Sequence, residues 1–219
     1  MNIAIIDYRS GNLHSALKSF QAAASDFENV SVKITSCYKD VIAADRLVLP
    51  GVGSFAFCRS KLLENGDVYK ALYDLVIQKQ KPFLGICVGM QMLATKGFEN
   101  GEFAGLDWIG GEVKKINNQN NNLKIPHMGW NTLKFLKETA FTKCLQKKMK
   151  VTNLNDISAY FVHSYNFKNK NANEKVITTC YGEEITAMIS KENIIGTQFH
   201  PEKSHYFGLA FLKTFLEQV

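Results

Sequence analysis

Short apolar runs alternate with stretches of helical period through the first hundred residues, and that pitch leaves few folds open. Asn2–Ile6, Val30–Ile34, Arg46–Leu49 and Lys81–Ile86 read as strands with no polar alternation, as expected for strands covered on both faces. Between them, Leu13, Ala16, Leu17, Phe20 and Ala24 fall on one helical stripe, and so do Val68, Leu72, Leu75 and Val76. A further helix is expected over Val88–Thr95. Strand, helix, strand at this spacing predicts an α/β fold with a mainly parallel sheet and helices on both faces.

The second half reads differently. Gly105–Ile116, Ile157–Tyr165, Val176–Cys180, Ile185–Ile189 and Ile194–Phe199 are strand candidates with almost no helix between them. The next helix is expected at Ser204–Glu217, where Phe207, Phe211 and Phe215 share a face. The sheet should therefore gain antiparallel strands in its C-terminal half, giving a mixed sheet. Asn117–Asn122 reads as a low-complexity loop tip, and neither an internal repeat nor a linker divides the chain, so residues 1–219 are expected to form one domain.

Composition removes several function classes. The net charge is +6, but the lysines are spread along the chain. The densest run, Lys147, Lys148 and Lys150, has no interleaved aromatics and reads as a solvated face, not as a nucleic-acid surface. The five cysteines form no CxxC pair, which points to a reducing compartment and not to a disulfide framework. No basic, apolar leader opens the sequence, and no apolar run approaches the roughly 20 residues needed to cross a bilayer. A cytoplasmic chain without a membrane or nucleic-acid partner is expected. No set of His, Cys, Asp and Glu has metal-ligand spacing, so neither a metal nor another cofactor is expected.

The most informative segment is Gly85-Ile86-Cys87-Val88-Gly89, placed after an apolar strand and before a helix. This is a nucleophile elbow with cysteine in the serine position. The glycines allow a tight turn, the helix N-terminus favours thiolate over thiol, and the Val88 amide points where an oxyanion would form. A free cysteine after a core strand is often only a small hydrophobe; the strand-to-helix context favours the catalytic reading. A thiol nucleophile needs a base, and the base needs an orienting group. His200-Pro201-Glu202 follows the strand Ile194–Phe199, and the fixed φ of Pro201 lets both side chains project to one side. Glu202 can then hold one imidazole nitrogen and leave the other to the thiol. Pro50-Gly51-Val52-Gly53 also follows a strand, and Gly51, Val52 and Gly53 are candidates for a second oxyanion donor. No Gly-Lys-Ser/Thr follows, which excludes a phosphate loop. Of the remaining histidines, either His127 or His163 could be a base, though His163 lies in an aromatic strand and reads as packed and hydrogen-bonded.

Together these motifs resemble the class I glutamine amidotransferases, whose fold is flavodoxin-like. Within that class, Asp7-Tyr8, Gly11-Asn12-Leu13, Pro126 to Asn131 and Phe161 to Tyr165 look like the glutaminase subunits of imidazole glycerol phosphate synthases. The resemblance implies that Cys87 attacks the side-chain amide of glutamine and that His200 moves the proton to departing ammonia. It also implies that Gln91, Ser164 and Tyr165 hold the substrate. Ammonia would pass to a (βα)8 cyclase in a heterodimer, with Asn12 and Trp130 at the interface, to make imidazole glycerol phosphate and an aminoimidazole carboxamide ribotide in histidine biosynthesis. Arg9 departs from the glycine usual in those subunits. An alternative reading is a paralogue that supplies ammonia for amidination of a surface-polysaccharide sugar.

Overall fold

The computed structural model describes residues 1–9, 13–117, 123–151 and 157–217. Asn12 and all of the expected loop after Asn117 lie outside the described residues. Strands β1 (Asn2–Ile6), β2 (Ser31–Thr35), β3 (Arg46–Gly51) and β4 (Phe83–Cys87) are parallel neighbours in the order β2-β1-β3-β4. The strand Ile194–Thr197 continues the sheet beside β4 in parallel, and Glu183–Lys191, Lys175–Tyr181 and Lys134–Phe135 extend it antiparallel to eight strands. The mixed sheet expected from the two halves of the sequence is present. β3 and β4 are buried along their whole length, which matches their unbroken apolar character.

Helices cover both faces. Leu13–Ala24 packs on His205–Glu217, with Phe20 edge-on to Phe215 at 6.3 Å. On the other side lie Tyr38–Ile42, Phe55–Glu64 and Gly66–Tyr73, the last running into one π-helical turn over Asp74–Gln78. Phe199 sits among Phe161, Phe207 and Phe211 at centroid distances of 5.4–6.1 Å. This aromatic cluster fixes the backbone just before His200.

Several sequence expectations need correction. Val88–Thr95 is one helical turn, Val88–Gln91, and not a longer helix. Past it, the Leu93 and Ala94 amides reach back only three residues, to the Met90 and Gln91 carbonyls, and the Thr95 amide donates instead to the Gly111 carbonyl, so no second α-helical turn forms. Gly105–Ile116 shrinks to a strand at Gly111–Lys115, and Ile157–Tyr165 breaks at Ser164 into Ser158–His163 and Tyr165–Asn169. Besides the helices Tyr38–Ile42 and Phe55–Glu64, the two-residue strands and the 3₁₀ and π turns, two further elements were not expected. One is the helix Ala140–Met149, capped by Thr139 and packed through Phe141 on Phe211 at 4.9 Å. Lys147 and Lys148 lie in its last turn and Lys150 follows it, a favourable place for cations; Lys148 also pairs with Glu217. The other is the strand His127–Thr132, antiparallel to Ser158–His163 in a two-stranded ribbon.

Candidate active site

Cys87 ends β4, directly beside Gly51 at the end of β3. Its backbone has φ 55° and ψ −112°, a conformation that costs an L-residue on the order of 1–3 kcal/mol. The surroundings impose it. A Cβ on Gly89 would lie 1.8 Å from the Leu49 carbonyl oxygen, and one on Gly85 would lie 2.8 Å from the Gly89 carbonyl oxygen. Only glycine on either side lets the chain turn this sharply against β3. The sulfur is buried and faces the C-terminal edge of the sheet, where ligands of open α/β sheets bind. With a single helical turn behind Cys87, the local amides of the elbow matter more than a long helix dipole.

His200 lies three residues beyond the strand Ile194–Thr197, in extended backbone just before the 3₁₀ turn Pro201–Lys203. Its amide donates to the Tyr160 carbonyl (2.9 Å), and its own carbonyl accepts from Ser204 Oγ (2.7 Å). His200 Nδ1 bonds Glu202 Oε1 at 2.7 Å, and both side chains are largely buried. Nε2 is buried with no hydrogen bond of good geometry among the described residues. Burial works to lower the pKa of this imidazole; Cys87 and Glu202 together overcome it and push the value up to about 10. With Nδ1 held by Glu202, Nε2 is the nitrogen left for Cys87, which lines the same cavity as His200; catalytic pairs commonly tighten only when substrate binds. The second carboxylate oxygen, Glu202 Oε2, is also buried without a hydrogen-bond partner among the described residues, so its charge is balanced chiefly through His200.

A cavity of about 270 Å³ opens over the sulfur, lined among others by Val52, Gly53, Val88, Gln91, Glu99, Ser164, Tyr165 and Lys203. The gate and substrate candidates from the sequence thus surround Cys87. Gly51 is buried against Tyr8, whose hydroxyl donates to the Pro50 carbonyl at 2.5 Å; Val52 and Gly53 are exposed beyond it. Gly53 takes φ 125°, and the Val52 carbonyl accepts from the Cys58 thiol at 3.6 Å. Gln91 is buried and donates to the Tyr165 carbonyl at 3.2 Å. Trp130 is half exposed and lies on the strand His127–Thr132.

His163 and His127 form a separate cluster. His163 Nδ1 donates to the Tyr165 carbonyl (2.8 Å), which leaves Nε2 to accept from His127 Nδ1 (3.0 Å). His127 Nε2 then accepts from Asn131 Nδ2 (3.1 Å). His127 is also stacked between Phe161 and Tyr181, at 4.8 and 4.1 Å. Desolvation lowers His127 to about 4 and His163 to about 3. Neither is oriented by a carboxylate, so neither is suited to serve as the base.

Three residues at the site were given no role from the sequence. Gln198, beside the sulfur, reads there as one more strand position. Glu99 lines the cavity and accepts from the Phe55 amide at 2.7 Å. Tyr8 pins the gate. Glu99 and Tyr8 are separated from Cys87 by loops, and no local pattern links them. Arg9 holds φ 64° with its amide on Asp7 Oδ1 (2.9 Å), a left-handed position where glycine costs less. Among the described residues no group of three His, Cys, Asp or Glu could hold a metal ion, and no helix is long and apolar enough to cross a membrane.

The family model described as glutamine amidotransferase class-I matches residues 4–219. The chain is 48% identical over 217 residues to "Imidazole glycerol phosphate synthase subunit HisH" of Bradyrhizobium diazoefficiens, covering 99% of this chain and 98% of that one. It is 42% identical to the protein of the same name from Pelagibacter ubique, covering 99% of both. Among solved structures, a crystal structure of a glutamine amidotransferase superposes with TM-score 0.70 at 15% identity over 98% of this chain and 97% of that one. The Trypanosoma brucei CTPS glutaminase domain with bound acivicin superposes at 0.63 and 13% identity, covering 100% and 95%. At such identities the two structures speak for the fold alone.

Proposed function

The chain belongs to the class-I glutamine amidotransferases, and on that premise we propose that it is the glutaminase subunit of an imidazole glycerol phosphate synthase, releasing ammonia from glutamine at Cys87. The observation that carries the reading is the His200–Glu202 bond of 2.7 Å on an imidazole that shares one cavity with the elbow cysteine and keeps its other nitrogen free of any other partner among the described residues. A base held by a carboxylate and turned to a nucleophile on a strained turn is the arrangement that covalent acyl transfer requires.

In this reading the Cys87 thiolate attacks the side-chain amide carbon of glutamine. The developing oxyanion takes the Val88 amide and a donor from the Gly51–Val52–Gly53 segment. His200 gives its proton to the amide nitrogen, the C–N bond breaks, and ammonia leaves. Water, giving its proton to His200, then attacks the thioester and releases glutamate and the thiol. Gln91, Ser164 and Tyr165 line the substrate cavity. Glu99, a carboxylate in the same cavity, suits the α-ammonium of glutamine.

Ammonia is uncharged and small, and is lost to solvent unless delivered. We assign its recipient as a (βα)8 cyclase in a heterodimer, with half-exposed Trp130 and exposed Met128 on the ribbon at the contact. Nothing observed favours the sugar-amidinating alternative.

The test is Cys87→Ala in the assembled synthase. Glutamine-dependent turnover should vanish while turnover on added ammonium persists; glutaminase activity surviving the substitution would refute the reading. For the partner, Trp130→Ala should weaken binding at least about tenfold with the fold intact. An unchanged Kd by calorimetry would move the interface elsewhere.

A further inference from the structure

Gln198 belongs to none of the roles above. It follows the strand Ile194–Thr197, which runs beside β4, and lies two residues before His200. It is fully buried, and its amide donates to the Ala187 carbonyl at 2.9 Å. A buried carboxamide is costly unless its polar atoms are engaged. Here both ends are. Gln198 Oε1 accepts from Gln91 Nε2 at 2.8 Å, and Gln198 Nε2 donates to Cys87 Sγ at 3.6 Å.

The direction of this chain is dictated from its far end. The Tyr165 carbonyl can only accept, so the Gln91 amide turns its NH2 toward it. That NH2 also meets Gln198 at hydrogen-bond distance, so Gln198 presents its oxygen there. Its own NH2 is thereby left for the sulfur. The flipped carboxamide would set two NH2 groups against each other at 2.8 Å and press a carbonyl against a thiolate. On its other side the sulfur meets the Val162 carbonyl, an acceptor at 3.9 Å that suits the thiol and not the thiolate.

We propose that Gln198 is a positioning residue for the nucleophile: its carboxamide ties substrate-side Gln91 to Cys87, holds the sulfur toward His200 and donates to it as thiolate. The proposal rests on the reading of Cys87 as the glutaminase nucleophile. In a buried site a donor aimed at the charged form favours that form, and a charge-assisted bond is the stronger kind. The chain also joins substrate-side and sulfur-side groups, so Gln91 cannot shift without moving the donor on the sulfur.

Two variants of the full chain, studied alone and in the assembled synthase, separate this role from packing. Gln198→Met keeps the volume and removes the donor. Gln198→Glu keeps the shape and the acceptor toward Gln91, but replaces the donor with a carboxylate oxygen. The readout is iodoacetamide alkylation of Cys87 as a function of pH, with Cys87→Ala as the blank. The ionisable groups that face the sulfur from the surrounding elements are His200 with Glu202 behind it, His163, Tyr165, Glu99 and Lys203, and all are unchanged in both variants. The expected result is an alkylation profile displaced upward by about one pH unit in Gln198→Met and further in Gln198→Glu. In the synthase, kcat for glutamine should fall about tenfold with KM changed less than threefold. A profile unmoved in both variants, or loss of the fold in both, makes Gln198 a packing residue and overturns the inference. Glutaminase activity that survives in Cys87→Ala would instead defeat the underlying reading, so the two failures are distinguishable.

Discussion

His200 and His163 are both buried, lie within one site and carry the same side chain, yet they are driven in opposite directions. His200 has a carboxylate on one nitrogen and a thiol before the other, and its pKa rises to about 10 despite burial. His163 has a carbonyl on one nitrogen and a second neutral imidazole on the other, and its pKa falls to about 3. Desolvation acts on both. What differs is whether a formal negative charge compensates it. Burial alone therefore cannot nominate a catalytic base; the charge of the hydrogen-bond partner decides.

The largest effect that would break this contrast is on rate. His200→Asn should lower glutamine hydrolysis in the synthase by at least about 10², the scale of lost general acid–base catalysis, while His163→Asn retains alkylation of Cys87 by iodoacetamide. If alkylation depends on His163 and not on His200, the roles are reversed.

The next effect is on stability. His127 and His163 are lowered, so they bind protons in the unfolded chain before they do in the folded one. Their contribution is complete above pH 6.5 and is lost as pH falls from there toward about 4 and about 3. Each adds a slope of up to about 1.4 kcal/mol per pH unit over that window. His200 is raised, so its contribution is complete below pH 6.5 and is lost as pH rises toward about 10. Denaturant unfolding from pH 4.5 to 9 should show two limbs, with only the acid limb flattened by substituting both cluster histidines. A single flat curve would contradict the opposed shifts.

The smallest effect sharpens the contrast by transplanting it. Asn131→Asp would replace the amide that donates to His127 Nε2 with a carboxylate, giving His127 the partner type that His200 has. Its pKa, followed by imidazole NMR, should rise by one unit or more with little change in kcat. If it stays near 4, the aromatic sandwich of Phe161 and Tyr181 outweighs the charge.

The same contrast separates what was legible in the sequence from what was not. The elbow could be read because its glycines answer a local demand: Gly89 lies against Leu49 so closely that no other residue fits. His200 and Glu202 could be read because a proline holds them two residues apart. The strands β1, β3 and β4 announced themselves by unbroken apolar runs. By contrast, the pairing of His127 with His163 spans 36 residues and depends on the register of the ribbon. Gln198 looks like a polar break in a strand until its neighbours are known. The helix Ala140–Met149 was missed because its apolar stripe is thin and its cap, Thr139 with Thr142, lacks the usual acid. The length expected after Cys87 was too great because the amides that would have continued the helix turn back by three residues or, at Thr95, bond Gly111 further along the chain.

One atom joins the two regions. The carbonyl oxygen of Tyr165 accepts from Gln91 and from His163, one donor for each of its lone pairs. It lies on a residue that lines the cavity over Cys87, yet its lone pairs are already taken. A ligand offering an N–H to that oxygen would have to evict either the amide leading to Cys87 or the imidazole leading to His127. The cavity can thus turn away wrongly placed donors without a steric wall, simply because the one acceptor they would reach is already saturated.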